Sequence, residues 1–162
     1  MLEKIFNQIP IFADLRPDQY VLLESIFTVE TCQHNQTIFE QGQIATYLYI
    51  VTDGEVAIQF KPDDGEAIIV ARILKGGVFG WSAAFGSDTY TSGATCSNET
   101  QLLKVLGEDL KKLRQNHPET GILVLERLAS VVVERIKRTD TRGQVVALLE
   151  HAIENGVKPI GG

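Results

Sequence analysis

The middle of the chain alternates between apolar and polar residues with a period near two, the pattern of short β-strands. Such runs recur from about residue 27 to residue 106, and turns, most of which contain Gly, separate them: 28–32, 37–40, 47–51, 55–60, 67–74 and 101–106. Many short strands at regular spacing favour a closed roll or barrel over a parallel sheet. The pair Asp53-Gly54, which lies between two of these runs, predicts a β-hairpin.

On both sides of this β-rich part the apolar spacing becomes that of helices. Before it, Ile5, Phe6 and Ile9 share one helical face with Pro10 as an interruption, and a second helix is predicted over about 14–26. After it, helices are predicted over about 107–115 and about 119–142. The sequence therefore predicts a mainly β fold with flanking α-helices.

The long predicted helix at about 119–142 carries two apolar faces. On one face the apolar residues recur at steps of three and four, the spacing of a heptad seam: Ile122, Leu125, Ala129, Val132 and Ile136. The other, wider face includes Leu128 and Val131. One face is expected to pack on the β-rich part, and the seam to meet a second copy of the chain, because an apolar surface strip needs cover. This pattern predicts a homodimer.

Gly143 interrupts the long helix and suggests where the main domain ends. We expect one domain over residues 1–142, with its β-rich part at about 27–106 and its long helix at about 119–142. A short helix and a tail are expected over residues 143–162. These last 20 or so residues are too few for a three-helix DNA-reading module.

Composition narrows the class of protein. With 162 residues, 44% hydrophobic and 22% charged, the chain fits one globular domain rather than a disordered one. Its net charge of −6 disfavours autonomous binding to nucleic acid. No apolar run is long enough for a membrane span, and the N-terminus lacks the regions of a signal peptide. Cys32 and Cys96 make no disulfide framework, so a cytoplasmic protein is expected.

No residue pattern points to catalysis. His34, His117 and His151 fall in unrelated contexts, so the paired ligands of a cupin-type metal site are missing. Ser82 and Ser92 have no neighbouring base in sequence, and no Gly-Lys-Ser/Thr completes a P-loop. We expect a protein that is not an enzyme and has no metal or cofactor.

The least regular stretch of the β-rich part is 79–96, which is rich in Gly, Ser and Thr and contains the single tryptophan, Trp81. Gly80 permits a close approach of backbone to a ligand. Residues 81–84 can form one helical turn, and the free N–H groups at the start of such a turn attract anions.

This stretch resembles the phosphate-binding cassette of cyclic nucleotide-binding domains, as in the catabolite activator and the regulatory subunits of protein kinase A. The family reads Phe-Gly-Glu-Leu-Ala-Leu, a short loop, and then Pro-Arg-Ala-Ala-Thr-Val. Phe79-Gly80 and Ala94-Thr95-Cys96 match it, and the resemblance spans about residues 9–139. It implies a β-roll, of the double-stranded β-helix or jelly-roll type, with N-terminal helices and a long C-terminal dimerisation helix.

The resemblance also implies a ligand site built from the cassette and the long helix: Phe79, Gly80, Trp81, Ser82, Ala83, Tyr90, Thr91, Ser92, Thr95, Arg135 and Thr139. In the family the Glu holds the ribose 2′-hydroxyl and the Arg pairs with the cyclic phosphate. Trp81 stands at the Glu position, Ser92 at the Arg position and Thr91 at the Pro position. Arg72, Lys75 and Arg135 are the candidates for a substitute cation.

These departures leave two functions open. The first is a regulatory sensor that binds an atypical nucleotide or another less charged small molecule and signals through the long helix. The second is a degenerate domain whose pocket Trp81 fills, so that it serves as a dimerisation or protein-docking unit. Trp81 could equally stack on an aromatic or apolar ligand.

Overall fold

The computed structural model of the chain describes residues 2–85 and 88–138, with side chains as far as Arg135. An N-terminal group of helices comes first: α1 (Leu2–Phe6), a single 3₁₀ turn (Pro10–Phe12) and α2 (Pro17–Glu24). The predicted interruption at Pro10 is therefore where the first helical segment divides. Pro17 occupies the first turn of α2, where its missing N–H removes no helical hydrogen bond.

The described strands form two antiparallel sheets that together make the predicted β-roll. One sheet has the order β1-β8-β3-β6 and the other β2-β7-β4-β5. The strands are β1 (Phe27–Cys32), β2 (Thr37–Phe39), β3 (Tyr47–Asp53), β4 (Val56–Phe60), β5 (Ile68–Ile73), β6 (Val78–Phe79), β7 (Gly93–Cys96) and β8 (Thr100–Leu106). The mainly β fold with flanking helices is thus confirmed, and α3 (Gly107–Asn116) and α4 (Pro118–Arg138) follow the roll.

Alternating residues of β3 face two separate hydrophobic cores. Leu48 and Ile50 join the helices in what we call the helix-side core, which also contains Phe6, Phe12, Phe27, Leu113, Val124 and Leu128. Tyr49 and Val51 point into the roll, where they join Phe39, Val56, Ile58, Phe79, Tyr90, Ala94 and Cys96 in the roll-interior core. The period of two along β3 therefore separates the helical layer from the interior of the roll.

The Asp53-Gly54 pair does not form the predicted hairpin. β3 and β4 belong to different sheets, so the chain turns a corner between them at Gly54. Gly54 has φ of +104°, and a Cβ there would lie 2.5 Å from Thr100 Oγ1. An Asp-Gly pair marks the need for positive φ, and here that need arises at a corner between the sheets. Instead, the turn over residues 61–67 joins the paired strands β4 and β5.

The buried face of α4 differs from the predicted seam at one residue. Val124, Leu128 and Val132 follow one another at steps of four, and all three are buried in the helix-side core. The prediction that Val132 meets a second copy is therefore wrong, because Val132 is only 2% exposed. The outer apolar residues of α4, which we call the exposed strip, are the exposed Ile122 and Val133 and, between them, the half-buried Leu125 and Ala129. The side chain of Ile136 lies outside the described residues.

Arg127 attaches α4 to the N-terminal helices. Its guanidinium Nη1 donates hydrogen bonds to the carbonyl oxygens of Ile11 at 2.8 Å and Ala13 at 2.6 Å. Beneath this contact the rings of Phe6 and Phe12 stack at a centroid distance of 4.3 Å, and Phe27 meets Phe12 edge-on. The first and last described helices are thereby held together over one face of the roll.

Candidate functional site

The cassette begins where β6 ends and turns sharply at Gly80. β6 pairs with β3, with Phe79 opposite Tyr49, and a 3₁₀ turn over Trp81–Ala83 follows. Gly80 has φ of +72°, and a Cβ there would lie 2.9 Å from the carbonyl oxygen of Tyr47 and 3.2 Å from the Tyr49 ring. Glycine at this position is therefore required by the close packing of the cassette on β3 as well as by its left-handed backbone.

Four aromatic side chains from the cassette and its neighbours fill the adjoining part of the roll. The rings of Phe39 and Tyr90 stack at a centroid distance of 3.6 Å, and those of Tyr49 and Phe79 stack at 5.0 Å. The backbone N–H of Tyr47 donates a hydrogen bond of 3.0 Å to the Tyr90 hydroxyl. Burial raises the pKa of Tyr90, which therefore stays neutral at physiological pH. Tyr90 belongs to the interior rather than to the solvent-facing rim.

Trp81 lies on the side of the cassette that faces the helices. It is half-buried, packs against the helix-side core, and meets Phe85 edge-on at a centroid distance of 6.2 Å. The ring that occupies the roll interior is that of Tyr90, not the indole. The interpretation in which Trp81 fills the pocket is therefore wrong, because that place is taken by Tyr90, which lies nine positions further along the chain.

Two polar atoms of the cassette are buried without hydrogen-bond partners. They are the indole Nε1 of Trp81 and the hydroxyl Oγ of Ser92. Within the described residues, these are the buried side-chain nitrogen or oxygen atoms that have no hydrogen-bond partner. Ser92 is 0% exposed and stands where the family has its phosphate-binding arginine. Leaving such a buried group unpaired costs about 1–3 kcal/mol of folding free energy. Because neither atom has a partner, each can still form a hydrogen bond.

The remaining predicted cassette residues fall into two groups. Ser82 and Thr91 are buried beside the turn and the loop. Ala83 is half-buried and lines a groove between the cassette, α3 and α4. Thr95 is half-buried in β7, where the alternation turns it away from the face that carries Ala94 and Cys96 into the roll.

Arg135 links the long helix to the start of the cassette. Its guanidinium Nη1 donates a hydrogen bond of 2.6 Å to the carbonyl oxygen of Val78 in β6. Desolvation lowers the pKa of Arg135 to about 10, so the side chain is still charged at neutral pH. Of the two helix residues predicted for the site, Arg135 thus reaches the strand that leads into Gly80, and Thr139 lies outside the described residues.

Sequence reasoning did not identify Phe39, Tyr47 or Tyr49 as part of this site. All three belong to strands with an evident apolar pattern, but the pairings that bring them to the cassette are long-range contacts. β3, which carries Tyr47 and Tyr49, pairs with β6, and β2, which carries Phe39, pairs with β7. Within residues 2–85 and 88–138, no group of three or more His, Cys, Asp or Glu residues is placed to hold a metal ion. No helix in the same residues has both the length and the apolar character needed to cross a lipid bilayer.

Comparison with known proteins gives consistent matches. A family model described as the cyclic nucleotide-binding domain matches residues 29–117. The cyclic AMP receptor protein of Thermus thermophilus is 25% identical over 161 residues, which cover 93% of this chain and 73% of that protein. A CRP-like cAMP-activated global transcriptional regulator of Mycobacterium tuberculosis is 24% identical, and the match covers 86% of this chain but only 60% of the regulator.

Among solved structures, a putative cyclic nucleotide-binding protein from Geobacter metallireducens superposes with a TM-score of 0.72 at 21% sequence identity. The match covers 83% of this chain and 96% of that one. At this level of identity the similarity shows a shared fold.

Proposed function

Because the chain belongs to the cyclic nucleotide-binding domain family, we propose that it is a non-catalytic regulatory module whose cassette binds a small molecule and whose long helix α4 transmits the binding. The relatives named above are a cyclic AMP receptor and a cAMP-activated regulator. For this chain we propose a different ligand, either an atypical nucleotide or another less charged small molecule.

The observation that carries this proposal is the unpartnered hydroxyl of Ser92, which is fully buried in the cassette. Ser92 Oγ can donate or accept a hydrogen bond. A ligand that presents a polar atom to this hydroxyl would remove the cost of leaving it unpaired. The hydroxyl carries no charge, so the preferred ligand is recognised by hydrogen bonds rather than by an ion pair.

A cyclic phosphodiester fits this hydroxyl poorly. It brings a full negative charge into a partly dry site, where the family uses a planar and permanently charged guanidinium. Ser92 supplies one hydroxyl at that position. Removing one partner of a buried charge pair costs roughly 3–5 kcal/mol, which corresponds to about two to four orders of magnitude in affinity.

Transmission through α4 is supported by the bond from Arg135 to Val78. Val78 lies two residues before Gly80, so a shift of the cassette turn moves the carbonyl oxygen that holds the helix. Arg127 holds an earlier part of α4 to the N-terminal helices. A ligand that displaces β6 would therefore act on the later part of α4 while the earlier part stays attached.

We further propose that the partner of α4 is a second copy of the chain. Ile122 and Val133 on the exposed strip are 47% and 48% exposed, which leaves an apolar surface on an otherwise amphipathic helix. In a dimer with twofold symmetry, the exposed strip of one copy would pack against the exposed strip of the other, and both would be covered.

The ligand proposal is tested by calorimetry of the 162-residue chain with cyclic AMP and cyclic GMP. We expect no binding tighter than the high micromolar range, and a measurable gain for Ser92→Arg combined with Trp81→Glu. Thr95→Arg, which places the same cation on the other face of β7, is the control and should give no gain. Circular dichroism verifies that each variant is folded. Sub-micromolar binding by the unchanged protein would contradict the proposed ligand class.

A second function is favoured by one observation, the filling of the roll by Tyr90 and Phe39. If this packing is permanent, the domain binds no small molecule and serves as a dimerisation or docking unit. Native mass spectrometry of the purified protein separates the two functions. A bound small molecule supports the sensor, and its absence, together with no gain in the double variant, supports the docking unit.

A further inference from the structure

A second cavity lies outside the roll, between the 3₁₀ turn at Pro10–Phe12, the turn that joins β5 to β6, and α4. Its volume is about 650 Å³, within the range of small-molecule sites. Ile11, Leu74 and Val131 give it apolar walls. The same cavity is lined by Arg72 of β5, Lys75 of the turn after it, and Arg135 of α4, which is far from both in sequence. The fold thus brings three cations together beside an apolar surface.

These cations have weak or neutral partners among the described contacts. Arg72 Nη1 lies 3.1 Å from Glu55 Oε2, but the Arg72 side chain is 54% exposed, and such a surface pair contributes little. Lys75 Nζ is 3.5 Å from the amide oxygen of Gln8. Arg135 donates to a backbone carbonyl. None of the three is neutralised by a buried carboxylate in these contacts.

The charge balance of the cavity is opposite to that of the whole chain. Three cations and one carboxylate, Glu134, line it, and Glu55 pairs with Arg72, so one positive charge remains in excess, whereas the protein carries a net charge of −6. Basic side chains collected in a concave surface with apolar walls focus a positive potential and raise the local concentration of anions. The location therefore selects for a negatively charged ligand that the rest of the surface repels.

We propose that this cavity binds a phosphate monoester through Arg72, Lys75 and Arg135. A guanidinium can donate two parallel hydrogen bonds to two oxygens of one phosphate, and a lysine adds a compact point charge. Three cations suit a dianionic phosphate monoester better than a singly charged diester. The apolar walls suit an organic group on the phosphate, and this site is separate from the cassette.

Occupancy of this cavity is linked to the attachment of α4. Arg135 is both a lining residue and the donor to Val78, so a bound phosphate and that carbonyl share the same guanidinium. If a ligand binds more tightly when the Arg135 side chain is in one conformation, it also favours the position of α4 that goes with that conformation.

The test is a titration of the ¹⁵N-labelled 162-residue chain with inorganic phosphate and, separately, phenyl phosphate at constant ionic strength. We expect saturable shifts of the amides at residues 72–77 and tighter binding of phenyl phosphate. Lys75→Gln should weaken both probes at least about tenfold, the effect of losing one charged hydrogen bond. Lys112→Gln, which removes an exposed cation of α3 that lines neither described cavity, is the matched control.

Three results would overturn the site. They are the absence of saturable shifts at millimolar probe, equal weakening by Lys75→Gln and Lys112→Gln, and shifts confined to the cassette at residues 79–96. Equal affinity for the two probes would overturn the assignment of an organic monoester. Failure here leaves the calorimetric test of the roll unaffected, because neither lysine lies in the cassette.

Discussion

Two neighbouring valines of α4 allow two effects to be measured separately: the packing within one copy of the chain and the association of two copies. Val132 is 2% exposed in the helix-side core, whereas Val133 is 48% exposed on the exposed strip. We predict that Val132→Ala destabilises the fold but leaves association unchanged. Val133→Glu is predicted to abolish association and to leave the stability of the single copy unchanged.

The magnitudes follow from burial. Val132→Ala removes two methyl groups at about 0.8 kcal/mol each and leaves a small cavity, so the free energy of unfolding should fall by about 2 kcal/mol. For a chain of this length that lowers Tm by about 4–8 °C. Val133→Glu would bury a carboxylate from each copy in an apolar contact, and about 3 kcal/mol per dimer raises the dissociation constant at least a hundredfold.

Sedimentation equilibrium and thermal unfolding over a range of protein concentrations measure both effects. A dimer gains stability by mass action, so Tm of the unchanged chain should rise with concentration. Val132→Ala should keep that rise at a lower Tm, and Val133→Glu should lose it. Ser130→Glu, a charge added at an exposed position off the strip, is the control. An unchanged chain that is monomeric at high micromolar concentration, or a Val133→Glu variant that still associates, would refute the interface.

Three further outcomes are expected. Burial raises the pKa of Cys96 from its ordinary value of 9.0 to about 12, so its stabilisation should be complete below about pH 9 and be lost toward pH 12, by up to about 4 kcal/mol. Cys96→Ser should flatten that slope in denaturant titrations. Gly54→Ala, which combines positive φ with a clash at Thr100, should cost about 2 kcal/mol or more in chemical unfolding, and Gly42→Ala, with positive φ but open space, should cost less. Because the net charge is −6, footprinting of the chain on DNA at physiological salt should show no sequence-specific protection.

The elements governed by local pattern could be predicted from the sequence. The β-rich part begins at Phe27 and ends at Leu106, and the long helix begins after the break at His117, as the spacing of apolar residues indicated. β7 was not identified as a strand, because Gly93–Cys96 has no strong β pattern and forms only by pairing with β2 and β4. Its existence depends on partners that are remote in sequence.

The wrong predictions have a second physical cause. The spacing of apolar residues along the chain does not determine which neighbouring element they will face. The heptad spacing placed Val132 on the outer side of α4, although steps of four from Val124 place it equally well on the inner side. Similarly, Asp53-Gly54 indicated a positive φ correctly but could not show which sheet the next strand would join. In the candidate site, the positions of Trp81 and Tyr90 relative to the two cores required the same long-range information.

The alternation along β3 also affects how this domain can change during evolution. Substitutions at Tyr49 or Val51 change the packing inside the roll, whereas those at Leu48 or Ile50 change the surface on which the helices pack. The two sets of positions on this strand belong to different cores, so each set can vary in evolution while the other stays constant. A lineage with this architecture can alter the packing inside the roll in one series of mutations and the position of its helices in another.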